Sequence, residues 1–163
     1  MKYSQDDSVF VMKLTPKILT LANASDVFTG GAHGSASISY KNVNPATGVV
    51  YTLDDFLKPG SKAELTKIGE KHFRSEFLPS IDMKPTDALS EENGFWFDSN
   101  KKDEGVDNIF YLCDNFAITD KGISFVYGLY EVVPYAMGMP EFTIPFSEIK
   151  SLLKDEWAAE LIK

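Results

Sequence analysis

The sequence predicts an α+β domain: a mainly antiparallel sheet with one central helix and a C-terminal helix packed on it. Three observations predict it. Short β-branched and aromatic runs bounded by turn residues dominate both ends of the chain, a helical stripe fills the middle, and a second helical spacing closes the sequence. An aromatic share of 13%, with 12 Phe and 7 Tyr, suits the pleated, half-buried surfaces of strands. At 163 residues the chain reads as one domain, residues 1–163.

In chain order, Val9-Phe10-Val11-Met12 and Ile18-Leu19-Thr20-Leu21 read as two strands separated by the turn Thr15-Pro16-Lys17. From Ser35 to Val43 the residues alternate, with Ser35, Ser37 and Ser39 against Ala36, Ile38 and Tyr40, which makes a strand with one wet face. Asn44-Pro45-Ala46-Thr47-Gly48 supplies turn chemistry, and Val49 to Leu53 is expected to return as the second arm of a hairpin. The clearest helix begins at Ser61, where Ser61 and Glu64 fit a capping box and Leu65, Ile68, Phe73 and Phe77 form the apolar stripe; it is expected to end before Pro79. His72 falls about 20° around the helix axis from Leu65, beside that stripe, and reads as a packed or rim residue. Ser80 to Asn108 is rich in Pro, Asp, Asn, Lys and Gly around the aromatic knot Phe95-Trp96-Phe97, and suggests a short helix from about Thr86 to Asn93 followed by a strand. Phe110 to Cys113 reads as a strand in which Cys113 is a small buried hydrophobe. Phe116-Ala117-Ile118 and Ile123 to Tyr127 form a hairpin through Thr119-Asp120-Lys121-Gly122, with Gly122 free to take positive φ. Phe142-Thr143-Ile144 is the last strand, and Ile149, Leu152, Leu153, Trp157 and Leu161 recur at helical spacing as a terminal helix.

Charge and motifs narrow the function. A net charge of −8, from 16 basic and 24 acidic residues, argues against nucleic acid, whose binding depends on clustered cations. It permits steering towards a basic protein. The single cysteine cannot form an internal disulfide, no run approaches the ~18 apolar residues of a membrane span, and Met1 to Asp7 is not a signal peptide. The chain is therefore either cytoplasmic or an exported domain whose leader has been removed. There is no glycine-rich phosphate loop, nucleophile elbow or His-Glu-x-x-His, and no cofactor is predicted. A zinc site would need His33 and His72 brought together with carboxylates, and no spacing supports one.

Two segments stand apart. Thr29-Gly30-Gly31-Ala32-His33-Gly34 packs glycines around a histidine just before a strand, so the backbone there either presents His33 and bare amides to a ligand or makes a tight crossing. Tyr130-Glu131-Val132-Val133-Pro134-Tyr135-Ala136-Met137-Gly138-Met139-Pro140-Glu141 is an aromatic, proline-punctuated loop holding two carboxylates. Glu131 sits among apolar groups and His33 is its expected partner, in a contact that stitches the two loops together rather than in an acid/base pair. Gly30, Gly31, His33, Tyr130, Glu131, Tyr135 and Glu141 are the candidate ligand- or partner-binding residues; no catalytic or metal residue is assigned.

These two segments, with Thr47-Gly48, Thr52-Leu53-Asp54-Asp55-Phe56, Phe116 to Phe125 and Ile144-Pro145-Phe146, resemble the RsiV-like domain family of unknown function. The resemblance runs from about Thr29 to Leu153. That domain forms the extracytoplasmic end of RsiV-type anti-sigma factors, lies beside polysaccharide deacetylase domains, and occurs alone in bacterial envelope lipoproteins. The resemblance implies an α+β domain outside the cytoplasm, in the periplasm or at the cell surface and lipid-anchored in the full-length protein, with no agreed catalytic residues and, in the anti-sigma factors, a receptor role for lysozyme. This sequence has no transmembrane helix, sigma-binding segment or deacetylase domain, so signalling and deacetylation do not carry over. Residues 1–28 are shorter than the companion region expected, which reads as an abbreviated or truncated variant. A missing element would leave an open sheet edge and invite a homodimer.

Three readings follow. The first is a non-catalytic cell-envelope binding module for lysozyme, another basic protein or a peptidoglycan fragment. The second is an enzyme on cell-wall glycan using Glu131 or Glu141 with His33 as acid and base. The third is a structural or inhibitory domain acting through Trp157 and Leu161 on the terminal helix.

Overall fold

In the computed structural model, which describes residues 3–97 and 110–162, two antiparallel three-stranded sheets meet at their edges. The first comprises β1 (Ser4–Leu14), β2 (Leu19–Phe28) and β3 (Ser35–Val43) in sequence order. The second comprises β4 (Phe116–Ile118), β5 (Gly122–Val126) and β6 (Glu141–Pro145), also in order. Helices α1 (Leu53–Phe56) and α2 (Lys62–Ser80) lie between the sheets in sequence, and α3 (Phe146–Ile149) and α4 (Asp155–Leu161) follow them. The α+β class read from the sequence is the observed one, with the sheet divided in two.

The first hairpin extends further than its apolar runs because pairing continues through polar residues, from Leu14 opposite Leu19 out to Ser4 opposite Phe28, with a bulge between Val11 and Lys13. In β3 the alternation holds: Ser35, Ser37 and Ser39 are exposed while Ala36, Ile38 and Tyr40 are half-buried. Only the base of this sheet enters the core, through Ile18, Thr20, Ala22 and Asn42. Its far half projects beyond it.

The main core lies under the second sheet. Phe73 of α2 is fully buried with Phe77, Phe97 and Phe110 at ring-centroid distances of 5.1, 5.2 and 5.4 Å, and with Phe95, Tyr127 and Phe142 around them. The helix approaches β6 closely because Gly69 has no side chain: a Cβ there would lie 2.6 Å from Leu112 Cδ2 and 3.3 Å from Ile144 Cδ1.

The sheets are joined by side chains acting as ladder rungs. Asn42 of β3 donates from Nδ2 to the carbonyl of Phe116 and accepts at Oδ1 from the N–H of Ile118, each at 2.9 Å. Its Oδ1 also accepts from the Thr20 hydroxyl at 2.9 Å. In return Asn115, just before β4, accepts from the N–H of Tyr40 and donates to the carbonyl of Ile38, each at 2.8 Å. Each carboxamide carries a donor and an acceptor in the geometry of a peptide unit, so it fills a backbone partner's place at the seam. Asn42 and Thr20 are 2% and 0% exposed, so their polar atoms have no water to fall back on.

Several local expectations are corrected. The arm over Val49 to Leu53 reduces to a single bridge between Val43 and Val50, made by the bonds from the Asn44 N–H to the Val49 carbonyl and from the Tyr51 N–H to the Asn42 carbonyl. It stops because the Asp55 carboxylate accepts from both the N–H and the hydroxyl of Thr52, at 2.7 and 2.9 Å, and turns the chain into α1. Those bonds hold the Asp55 carboxyl below its ordinary range, led by the Thr52 N–H. Ser61 takes helical angles and makes no side-chain cap, and α2 runs through Pro79 to Ser80, where the ring sits in the last turn. Gly122 does not use positive φ; a Cβ there would fall 2.0 Å from the Ile144 carbonyl oxygen, so glycine permits close strand approach.

Phe110, Leu112 and Cys113, with Phe95 and Phe97 of the knot, pack in the core without forming strands, and the helix from about Thr86 to Asn93 shrinks to one 3₁₀ turn, Glu91–Asn93. The rest of the stretch to Asn108, from residue 98, lies outside the described residues. The terminal helix is broken at Leu153, which bridges Leu57 in extended conformation, while Lys58 N–H and Lys154 N–H bond the carbonyls of Leu152 and Phe56. Cys113 is buried as expected. Burial, with the Glu131 charge adding to it, pushes its thiol up to about 12.

Replacing Asn42 by Leu is expected to lower stability by about 3 kcal/mol, because it leaves the Ile118 N–H, Phe116 carbonyl and Thr20 hydroxyl buried without a partner. Urea unfolding checks this; a loss below about 1 kcal/mol, the worth of one ordinary hydrogen bond, contradicts the rung assignment.

Candidate functional site

The projecting end of the first sheet carries the Gly30–His33 loop at its tip and faces the loop that runs from Gly128 to Glu141. Gly30 and Gly31 have φ of 92° and 108°, so both use the left-handed backbone that glycine adopts without strain. The segment is thus a hairpin connection between β2 and β3. Its third glycine, Gly34, is tight: a Cβ there would sit 3.2 Å from the Val27 carbonyl oxygen.

His33 stacks on Tyr135, with centroids 3.9 Å apart and planes inclined by 23°. Its Nδ1 lies 2.8 Å from the Gly34 carbonyl, which can only accept, so the proton belongs on Nδ1. Nε2 lies 3.4 Å from the Tyr130 hydroxyl, and the Tyr135 hydroxyl donates to the Gly34 carbonyl at 3.1 Å. The two loops are stitched together as the sequence suggests, but by tyrosines.

Glu131 is not the partner of His33. Its Oε2 accepts from the Gly128 N–H at 2.7 Å and its Oε1 from the Tyr111 hydroxyl at 3.2 Å, so the carboxylate closes its own turn. The reason is local: a side chain three residues beyond Gly128 reaches that N–H at little cost in chain entropy. Tyr130 holds φ at 62°, a conformation costing a non-glycine residue on the order of 1–2 kcal/mol, and its ring stays 53% exposed. Glu141 accepts from the Tyr40 hydroxyl at 3.4 Å. Burial first, and then that carboxylate, push the Tyr40 hydroxyl up to about 12. Among the described residues no hydrogen bond or ion pair joins Glu131, Glu141 and His33.

Between the projecting sheet and the loop lies a groove of about 350 Å³ that sequence reading missed. Phe10, Ala24, Ile38, Val126 and Met139 give it an apolar lining. Asp6, Asp26 and Glu141 also line it, and no Lys, Arg or His does among the described residues. Asp6 and Asp26 are direct cross-strand partners, an arrangement of like charges that opposes sheet pairing. The signal in the sequence was the polar, acidic run Ser4 to Ser8 preceding apolar residues, which becomes informative only once the register places it beside Asp26.

The other histidine is elsewhere. His72 lies with Nδ1 2.9 Å from Glu76 and Nε2 3.2 Å from Glu148, as a rim residue of α2, and among the described residues no group of three His, Cys, Asp or Glu is arranged to hold a metal. Trp157 and Leu161 are 6% and 7% exposed, and the Trp157 indole donates to the Asp55 carbonyl at 2.8 Å while its ring packs on Phe56 and Tyr51. Both side chains are packed, which removes the basis for a partner surface on the terminal helix. No described helix is long and apolar enough to cross a membrane.

These observations define an α+β domain with an open, acidic-walled groove at one end. The chain belongs to the family described as protein of unknown function (DUF3298), whose model matches residues 54–147. A DUF3298 family protein from Pseudomonas aeruginosa PAO1 is similar in structure with a TM-score of 0.70 at 22% identity, over 95% of this chain and 64% of that one. A member of the same family from Bacteroides fragilis NCTC 9343 gives 0.71 at 24% identity, over 98% of this chain and 58% of that one. At these identities the likeness concerns the fold, and the chain spans less than two thirds of the length of either protein. No curated protein matches the chain.

Unfolding free energies of His33→Ala, Tyr135→Ala and the double variant are expected to show coupling of about 0.5–1 kcal/mol from the ring stack. His33→Ala and Glu131→Gln are expected to add within about 0.5 kcal/mol. Coupling in the second pair, or none in the first, contradicts the geometry.

Proposed function

We propose that this domain is a non-catalytic binding module of the bacterial cell envelope whose partner is a basic protein, with lysozyme the first candidate. The observation that carries the reading is the groove: an apolar floor between Asp6, Asp26 and Glu141 suits an apolar side chain flanked by cations on a partner surface. A net charge of −8 favours encounter with such a partner. The Asp6–Asp26 repulsion supports it as well, since a partner cation would relieve it. The extracytoplasmic location and the RsiV-like assignment belong to this proposal and rest on the motif resemblance. Peptidoglycan fragments are the second reading, favoured by the exposed Tyr130 ring beside His33 and Tyr135, whose faces suit the apolar face of a sugar.

The domain is expected to bind immobilised lysozyme with micromolar affinity at near-physiological salt, where loose charge attraction is screened. Asp26→Lys removes the repulsion with Asp6, so it is expected to leave the fold at least as stable while weakening lysozyme binding by roughly tenfold or more. Binding seen only at low salt, or unchanged in the variant, overturns the proposal; retention of soluble glycan fragments in that case selects the second reading.

A further inference from the structure

Along the outer edge of β3, three successive pairs of backbone groups have different fates. Around Ser39, the Ile38 carbonyl and the Tyr40 N–H are both taken by the Asn115 carboxamide, at 2.8 Å each. Around Val43, the Asn42 carbonyl and the Asn44 N–H are taken by Tyr51 and Val49 of the short arm. Between them, around Lys41, the Tyr40 carbonyl and the Asn42 N–H face the same edge, because the two backbone groups of a strand residue share a side. Among the described residues neither has a hydrogen-bond partner. Asn42 is 2% exposed, so its N–H is a buried donor left open between two filled positions. Tyr40, Lys41 and Asn42 line a notch of about 450 Å³, walled by Val50 to Asp54, Asp114 and Phe116.

The neighbouring position shows which group fits. Asn115 serves a carbonyl and an N–H of the same spacing, one step along the strand, with a single primary carboxamide. Such a group carries its N–H and C=O on one side, whereas a trans peptide unit carries them on opposite sides, so one carboxamide can serve both edge groups and one peptide unit cannot. Charge narrows the ligand further. The side chains of Lys41, Asp54 and Asp114 line the notch, and among the described residues none of the three has an ion pair or a hydrogen bond. A lysine suits an α-carboxylate, and the aspartates suit an α-ammonium.

We infer that the notch binds a free amino acid with a primary carboxamide side chain, of the glutamine or asparagine type. Its carboxamide donates to the Tyr40 carbonyl and accepts from the Asn42 N–H, as Asn115 does at the position before. The notch shares no lining residue with the acidic groove, so the inference is independent of the groove's partner.

Nitrogen–proton correlation spectra of the full chain titrated with L-glutamine are expected to show a saturable shift of the Asn42 amide, half-complete at about millimolar concentration or below. L-glutamate has the same shape but turns an acceptor towards the Tyr40 carbonyl, and it is expected to bind at least roughly tenfold more weakly. N-acetylglutamine N-methylamide keeps the carboxamide and lacks both charges, and a loss of roughly threefold or more is expected for it. Lys41→Ala, at an exposed position, is expected to weaken glutamine binding by a similar factor with unchanged circular dichroism. No saturable shift at Asn42, equal binding of glutamate or of the blocked residue, or full affinity in Lys41→Ala overturns the inference.

Discussion

Two carboxamides carry the junction on which the arrangement of this protein depends. Asn42 reaches from β3 into the edge of β4, and Asn115 reaches from the approach to β4 back into the edge of β3. Each sheet has three strands, the fewest with which a sheet is stable by itself, so the seam between them matters to how the two are held together. Reciprocal rungs let the strands diverge while their backbone groups stay satisfied. A continuous ladder would have imposed regular spacing and twist across the seam.

That junction determines what lies at the other end of the molecule. The second sheet is anchored by the aromatic cluster around Phe73, so it forms the fixed part of the structure. Held at its base by Thr20 and Asn42, the first sheet extends away as a cantilever with its far half outside the core. The space beneath that half becomes the groove, and the loop from Gly128 to Glu141 closes its side. Tyr135 and Tyr130 fasten the loop to the tip of the cantilever through His33 and Gly34. The positive φ of Tyr130 is consistent with this: the strain is borne where the ring must be aimed across at the other loop.

Period and turn chemistry made much of the fold legible. The Ser/Ala-Ile-Tyr alternation of β3, the Thr119–Gly122 hairpin and the Leu65–Phe77 stripe are each decided by local pattern, and each is found. What failed was decided either by distant partners or by a local bond that outcompeted the expected one. Leu152 and Leu153 fit a helical stripe, yet Leu153 serves the core better by pairing with Leu57, and the helix gives way there. Val49 to Leu53 has strand composition, yet the Thr52–Asp55 box competes with it and wins. In the candidate site the loops were visible from their glycines, tyrosines and prolines, but the pairing of Glu131 was not, because a nearby N–H satisfied it before His33 was within reach. The groove was invisible for the opposite reason: Asp6, Asp26 and Glu141 are far apart in sequence and share nothing until register and topology set them around Phe10. Asn42 and Asn115 look like ordinary strand-end polar residues, and only burial gives them their role.

Amide hydrogen exchange at Tyr40 and Ile118 tests the seam most directly. Neither N–H points at a backbone carbonyl across the junction, and each donates instead to a carboxamide oxygen. If the side-chain rungs join the sheets, both amides exchange as slowly as the ladder amides of β5, with opening free energies close to that of global unfolding. Exchange at rates typical of loop amides would contradict the account, because the two sheets would then part without the protein unfolding.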